Sequence, residues 1–295
     1  GHVWPNLRVA EAVRDGIDLL AITEHLELQP HKNDIPHEDR NRAFEIAKDS
    51  AVDENLIVIN GTEITRQFPP GHINAVFVKD ANKLIRIDRS KQPEVDQFID
   101  SLPKDLIQDY IDEPWLNDGV LAAMWPIEET LMEAKNQDAF VFWNHPAWSS
   151  EEESSDKLLH EIHIDLFNQN LIHGIEVVNG IWFSDEAFQI AIDYDLTIMG
   201  TSDVHGLIDW DYLQRPNGHR SVTLILSKDR TEESIKEALF NGRTVVWYKN
   251  NLIGKNENIL EIIEACLSIK SAKFKGKTNV LLVEIENISD VNFQL

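Results

Sequence analysis

Cysteine is nearly missing from this sequence: Cys266 is the only one in 295 residues. No internal disulfide can form, and thiolate metal sites and iron–sulfur clusters are excluded. Cys266 sits in the apolar stretch Ala265-Cys266-Leu267, which predicts a core position. Positive charge is scarce as well, with 27 Lys and Arg against 51 Asp and Glu and a net charge of −24. Such a surface repels a nucleic-acid backbone, and no basic patch with interleaved aromatics offsets it. An anionic substrate would need bound cations to overcome that field locally, although for most of the surface the charge reads as solubility. No apolar run has the length of a membrane span. The chain opens at Gly1-His2 without an initiator Met, so the lack of a leader there carries no information.

What is present is a repeated unit of apolar run, polar end and amphipathic stretch, over a length that can bury one large core and a smaller appendage. The runs 19–23, 56–59, 73–78, 139–143, 174–178, 196–199 and 222–226 read as buried strands. Helix-like spacing recurs over 6–14, 40–52, 127–134, 157–168, 185–194 and 231–240. The rhythm predicts a parallel α/β barrel. Residues 86–117 break it as a polar insertion with one or two helices, and 251–295 read as a small β-containing extension cut within an element.

Polar residues at the strand ends carry the chemistry. Leu196-Thr197-Ile198-Met199 leads into Gly200-Thr201-Ser202-Asp203-Val204-His205-Gly206. In extended backbone, residues i and i+2 point the same way, so Asp203 and His205 can reach one centre. Alone, the pair reads first as a capping Asp beside a surface His. The other ends, however, bring Glu24-His25, Glu63, His72 and Asn144-His145. In a parallel fold most of these converge on one face. Three or four imidazoles with carboxylates and no thiolate suit a two- or three-metal hydrolase site rather than a structural zinc. His160 and His163 share helical spacing as well, and read as a mixed polar face.

Ile22-Thr23-Glu24-His25, Gly61-Thr62-Glu63-Ile64, Gly71-His72-Ile73-Asn74, Asn144-His145-Pro146 and Ser202-Asp203-Val204-His205 together resemble the PHP family, named for polymerase and histidinol phosphatase. Gly1 to Pro5, the loop with His31 and His37, and the stretch from Thr244 to Asn250 are similar to its bacterial phosphodiesterase subgroup, often exported. The resemblance implies a distorted seven-stranded (β/α) barrel over about residues 1–250. It implies two or three divalent metal ions, Zn, Mn or Fe. Glu63 would bridge two of them, His72 and His145 would complete one, Asp203 would ligate its neighbour, and His25 with His205 would serve a third. The expected activity is hydrolysis of phosphoesters, above all phosphodiesters, by a metal-bound hydroxide, with a small phosphoester as substrate. Glu63, His72, Asp203 and His205 are the candidate catalytic residues. His31 and His37 are further proton donors, and Arg66, His219 and Arg220 candidates to hold a phosphate oxygen. A metal hydrolase of C–N or C–O bonds and a non-catalytic binding protein remain alternatives.

Two departures stand out. The usual T-D-H reads Thr23-Glu24-His25, and the family's first-strand H-x-H is expected upstream of Gly1. On that basis this chain is expected to bind metal incompletely, and a longer form to be active. The subgroup implies a periplasmic or secreted location, with the cytoplasm as the alternative.

Overall fold

Alternation along the apolar runs decides which side of each strand is buried against helices and which lines an interior. The computed structural model describes residues 3–28, 38–113, 115–152, 155–212, 219–289 and 291–293. The chain begins with α1 (Pro5–Arg14), β1 (Leu19–Ile22), α2 (Arg42–Ser50), β2 (Ile57–Ile64) and β3 (Ile73–Val76). An insertion follows with α3 (Gln92–Asp100), α4 (Lys104–Asp112) and α5 (Trp115–Ala123). Then come α6 (Ile127–Asn136), β4 (Phe140–Trp143), α7 (Pro146–Glu152), α8 (Glu161–Asn168), β5 (Gly174–Asn179), β6 (Trp182–Phe183), α9 (Asp185–Asp193) and β7 (Thr197–Thr201). The remainder is α10 (Ile208–Asp211), β8 (Val222–Ile225), α11 (Glu232–Phe240), β9 (Thr244–Tyr248), β10 (Asn251–Gly254), α12 (Asn256–Cys266), β11 (Leu267–Phe274) and β12 (Leu281–Asn287).

β1 to β7 form one mixed sheet, with β1–β2, β4–β5 and β5–β7 parallel and β2–β3, β3–β4 and β5–β6 antiparallel. Its curl makes a half-barrel rather than the closed (β/α) barrel that the rhythm predicts. The ladder stops at β7, and β8, β9 and β10 form a separate antiparallel sheet. Hydroxyls replace ladder bonds across that break. Thr223 Oγ1 accepts from Gly200 N and donates to Gly200 O, both at 2.9 Å, and Thr244 Oγ1 donates to Ile198 O at 2.7 Å. The approach is so close that a Cβ on Gly200 would meet Val246 Cγ1 at 2.3 Å, so only glycine fits there.

The period of two is visible in the packing. Val141, Trp143, Ile175 and Val177 face outward into a core completed by α6, α8 and α9, while Ile59, Val76, Phe142 and Met199 meet α11 inside the curl. Glu63 has the parity of Ile59, and Glu176 is opposite to Ile175 and Val177, so both carboxylates belong to the inner side.

Several expectations need correction. β2 runs on through Gly61, Thr62 and Glu63, because antiparallel pairing with β3 extends the ladder past the run of aliphatic residues. α8 starts at Glu161, so His160 lies before the helix, where its N–H donates to His163 Nδ1 at 3.0 Å. The insertion holds three helices and continues to residue 123. Cys266 is half-buried at the end of α12, not in the core. The 251–295 stretch contains an amphipathic hairpin. Ile269, Phe274, Leu281, Val283 and Ile285 lie exposed on one face of β11–β12, and Ser271 meets Glu284 on the other. Among the described residues no helix is long and apolar enough to cross a membrane.

Candidate metal centre

The strand directions explain how distant residues meet. β2, β4, β5 and β7 end at one rim of the sheet. β3 runs against β2 and β4, so His72 just before it joins the same rim. At this rim the buried carboxylate of Glu63 is surrounded by imidazoles. His72 Nδ1 is 2.8 Å and His145 Nε2 3.2 Å from Oε1, and His25 Nδ1 is 3.0 Å from Oε2. One ligand atom from each of Glu63, His72 and His145 lies within 4.8 Å of the others.

The remaining candidates ring this cluster. Asp203 Oδ2 is 4.0 Å from His145 Nε2, and the rings of His25 and His205 are 6.2 Å apart. His205 is exposed, and its Nδ1 lies 2.9 Å from Asp203 O. Two of these residues have left-handed backbones, with φ of 24° at His145 and 45° at Asp203. Such conformations cost about 1–3 kcal/mol each and persist only where the surroundings enforce them.

Electrostatics follow from that crowding. Burial works to raise Glu63, but hydrogen bonds with His145 and His72 and the charge of His25 outweigh it and hold the carboxyl well below its usual range. Burial opposes protonation of His145, yet Glu63, Glu176 and Asp203 raise it on balance. His25 is lowered, chiefly by burial. Asp203 is raised by burial and by the charge of Glu63.

Other residues in the shell were not among the candidate site residues. Asn144 Nδ2 donates to Glu63 Oε1 at 3.0 Å, and its Oδ1 is buried with no partner. Glu176, fully buried and pushed up to about 7 by burial, accepts from His145 N at 2.7 Å and from Asn179 Nδ2 at 3.1 Å. The one signal for it is a lone Glu within the apolar run of β5. Ser149 Oγ lies 3.2 Å from His145 Nδ1, and Thr65 Oγ1 2.7 Å from His25 Nδ1. Trp148 packs edge-on against His72 and His145, with centroids 5.8 and 4.9 Å away. From α1, Arg8 Nη2 donates to Val204 O at 2.6 Å and Glu11 Oε1 accepts from Ile208 N at 2.8 Å. Together they pin the loop that carries Asp203 and His205.

The proposed phosphate contacts are placed differently from the cluster. Arg66 is buried in an ion pair with Glu27, its Nη1 also donating to Thr65 O at 3.0 Å. Arg220 grips Asp15 through Nε at 3.1 Å and Nη2 at 2.7 Å. The His219 ring stacks on Trp247 with centroids 4.3 Å apart. His219 and Arg220 line a cavity of about 860 Å³ that runs from Glu63, Asp203 and His205 to the facing strands β1 and β8. His31 and His37 lie outside the described residues.

A carboxylate held ionised among three imidazoles, with an orphaned amide oxygen beside it, fits a divalent cation of borderline character. The donors are nitrogen and oxygen without sulfur.

No protein-family model matches the sequence, and no curated protein does. Solved structures do. A two-domain protein from Bacteroides vulgatus, assigned as containing a predicted PHP-like metal-dependent phosphoesterase, is 34% identical, with a TM-score of 0.78 over 99% of this chain and 73% of its own. A protein from Bifidobacterium adolescentis assigned as a metal-dependent phosphoesterase is 17% identical, with a TM-score of 0.44 and coverage of 88% and 90%. An amidohydrolase from Chromobacterium violaceum, with bound sulfate and no metal, is 13% identical, with a TM-score of 0.43 and coverage of 70% and 83%. With a third of its residues shared over nearly its whole length with the Bacteroides protein, the chain belongs to the PHP-like metal-dependent phosphoesterase family.

Proposed function

We propose that this protein hydrolyses phosphoester bonds with the help of divalent cations, phosphodiesters being the preferred substrates. The observation that carries this reading is the Glu63 carboxylate, shared by His25, His72 and His145 at the rim of the curled sheet. Glu63, His72 and His145 would hold one ion. Asp203, with His25 and His205 beyond it, would hold its neighbours. When bound, the ions act as Lewis acids that lower the pKa of water and neutralise phosphoryl charge.

The chain's own groups do the rest. Ionised Glu63 supplies the negative charge that fixes cations in the centre, and Asn144 and Glu176 orient the groups around it. His205 places Nδ1 at a carbonyl oxygen, which fixes the proton there and leaves Nε2 as the lone-pair nitrogen. That atom can take a cation or, when protonated, deliver its proton to the departing alkoxide. Arg220 and His219 line the approach, where the Arg220 guanidinium is already paired with Asp15 and His219 is stacked on Trp247.

The cleft between the free edges of β1 and β8 is where the sheet would close in the seven-stranded (β/α) barrel reading. The domain division at about residue 250 is retained in this reading.

The test is a panel of phosphomonoesters, phosphodiesters and amides assayed with added Mn or Zn. Metal-dependent turnover of diesters above monoesters is expected. Turnover of amides alone would overturn the reading in favour of C–N hydrolysis.

A further inference from the structure

The helices α4 and α5 of the insertion roof a second cavity, separate from the cleft at β1 and β8. It has a volume of about 230 Å³ and its lining includes Phe68, His72, Tyr110, Leu116, Gly119 and Val120. His72 is the connection. Its ring lines this cavity, while Glu63, Asp203 and His205 line the larger one, so the cluster stands between the two. A phosphorus atom held at the cluster therefore has two ways to direct its ester groups. One leads to a wide cleft and the other to a small chamber.

Size and chemistry limit what the small chamber can take. An apolar cavity of about 150 Å³ accommodates benzene, whereas sites for drug-sized ligands start at about 300 Å³. A volume of about 230 Å³ matches one ring or a short branched alkyl group. Phe68, Leu116 and Val120 supply apolar walls. Glu27 and Arg66 carry the charge in the lining, and they neutralise each other in a buried ion pair. Neither is available to hold an ionic group. Gly119 lets α5 close over the chamber, because a Cβ there would meet Leu28 Cδ2 at 2.9 Å.

We propose that the chamber between His72 and the α4–α5 roof is the subsite for one compact, uncharged alcohol group of the phosphoester, such as a single aromatic ring. The inference rests on the phosphoesterase reading given above. Leu116 and Val120 are then specificity-determining residues, acting on which ester is accepted.

The test is calorimetric binding of two non-hydrolysable probes, phenylphosphonate and methylphosphonate, to the Mn-loaded protein. Wild type is expected to bind the phenyl compound at least tenfold more tightly. Val120→Trp and, independently, Leu116→Trp fill the chamber and should reduce that preference to within about twofold, with thermal melts reporting whether each variant folds. Equal affinity of wild type for the two probes would overturn the subsite and leave the phosphoesterase reading standing. So would folded variants that keep the phenyl preference or lose both probes equally. Failure of wild type to bind either phosphonate would overturn both.

Discussion

Two groups of histidines lie on opposite sides of β4 and differ in what they meet. On one side His25, His72 and His145 close on the Glu63 carboxylate. On the other, His163 stacks on Trp143 with centroids 3.9 Å apart, its Nε2 lies 2.9 Å from Pro70 O, and its Nδ1 accepts from His160 N. At the start of β4, away from the rim, His173 accepts from Val141 N through Nδ1 at 3.1 Å and packs against Phe240 at 4.7 Å and Phe140 at 5.7 Å. Burial pushes both of these imidazoles down to about 4, whereas carboxylates raise His145 against its own burial. The imidazole is the same in both places. A buried anion within reach turns one group into a cation site, and aromatic rings with backbone partners turn the other into core.

The sharpest way to break this contrast is to remove the anion. Glu63→Gln should abolish metal binding and cut activity on the order of 10³-fold or more, since the centre loses the buried ionised carboxylate that three imidazoles share. Metal analysis alongside turnover checks it, and retention of both would overturn the role given to Glu63.

Acidification should act on the opposite group. His163 and His173 are neutral in the fold and take up protons on unfolding, so their contribution is complete above pH 6.5 and is lost as pH falls toward 4. Each accounts for up to about 3 kcal/mol over that window. Urea midpoints measured from pH 7 to pH 4 should fall, and His173→Asn should flatten part of the slope.

His163→Ala should cost about 2 kcal/mol of stability through the lost stack and hydrogen bonds, without changing metal stoichiometry. Asn144→Ala has the reverse signature. Metal affinity should drop by about 10-fold or somewhat more, while the melting temperature changes little, because the amide orients Glu63 from outside the ligand set. Calorimetric metal titration of the two variants in parallel would show whether the two groups of histidines are separable.

Much of the skeleton was legible in advance. The strand runs at 19–23, 73–78, 139–143 and 174–178 and the helices at 6–14, 185–194 and 231–240 appear close to where the patterning puts them. The six residues marked by strand ends, His25, Glu63, His72, His145, Asp203 and His205, do come together in one region. Asn144, marked only as the neighbour of His145, and Glu176 had no assigned role, because an amide and a lone strand Glu have no signature until a carboxylate or a backbone N–H is seen opposite. Arg8 and Glu11 escaped notice for a related reason: their partners Val204 and Ile208 are almost two hundred residues away. Arg66, Arg220 and His219 show the converse, since charge type alone could not reveal Glu27, Asp15 or Trp247 as their partners.

By itself, the sequence determined the chemistry available: no thiolate pair, an excess of carboxylates, and imidazoles set at the ends of apolar runs. Period-two alternation also determined which side of each strand those groups could occupy. Tertiary structure decided which histidines meet an anion and which meet a ring, because that depends on strand order and direction. The antiparallel course of β3 brings His72 to the rim with Glu63 and His145. It is also tertiary structure that left the sheet open between β1 and β8, where hydroxyls of Thr223 and Thr244, not a continuous ladder, tie the last strands to β7. Local pattern specifies the strands, but long-range hydrogen bonds choose their neighbours.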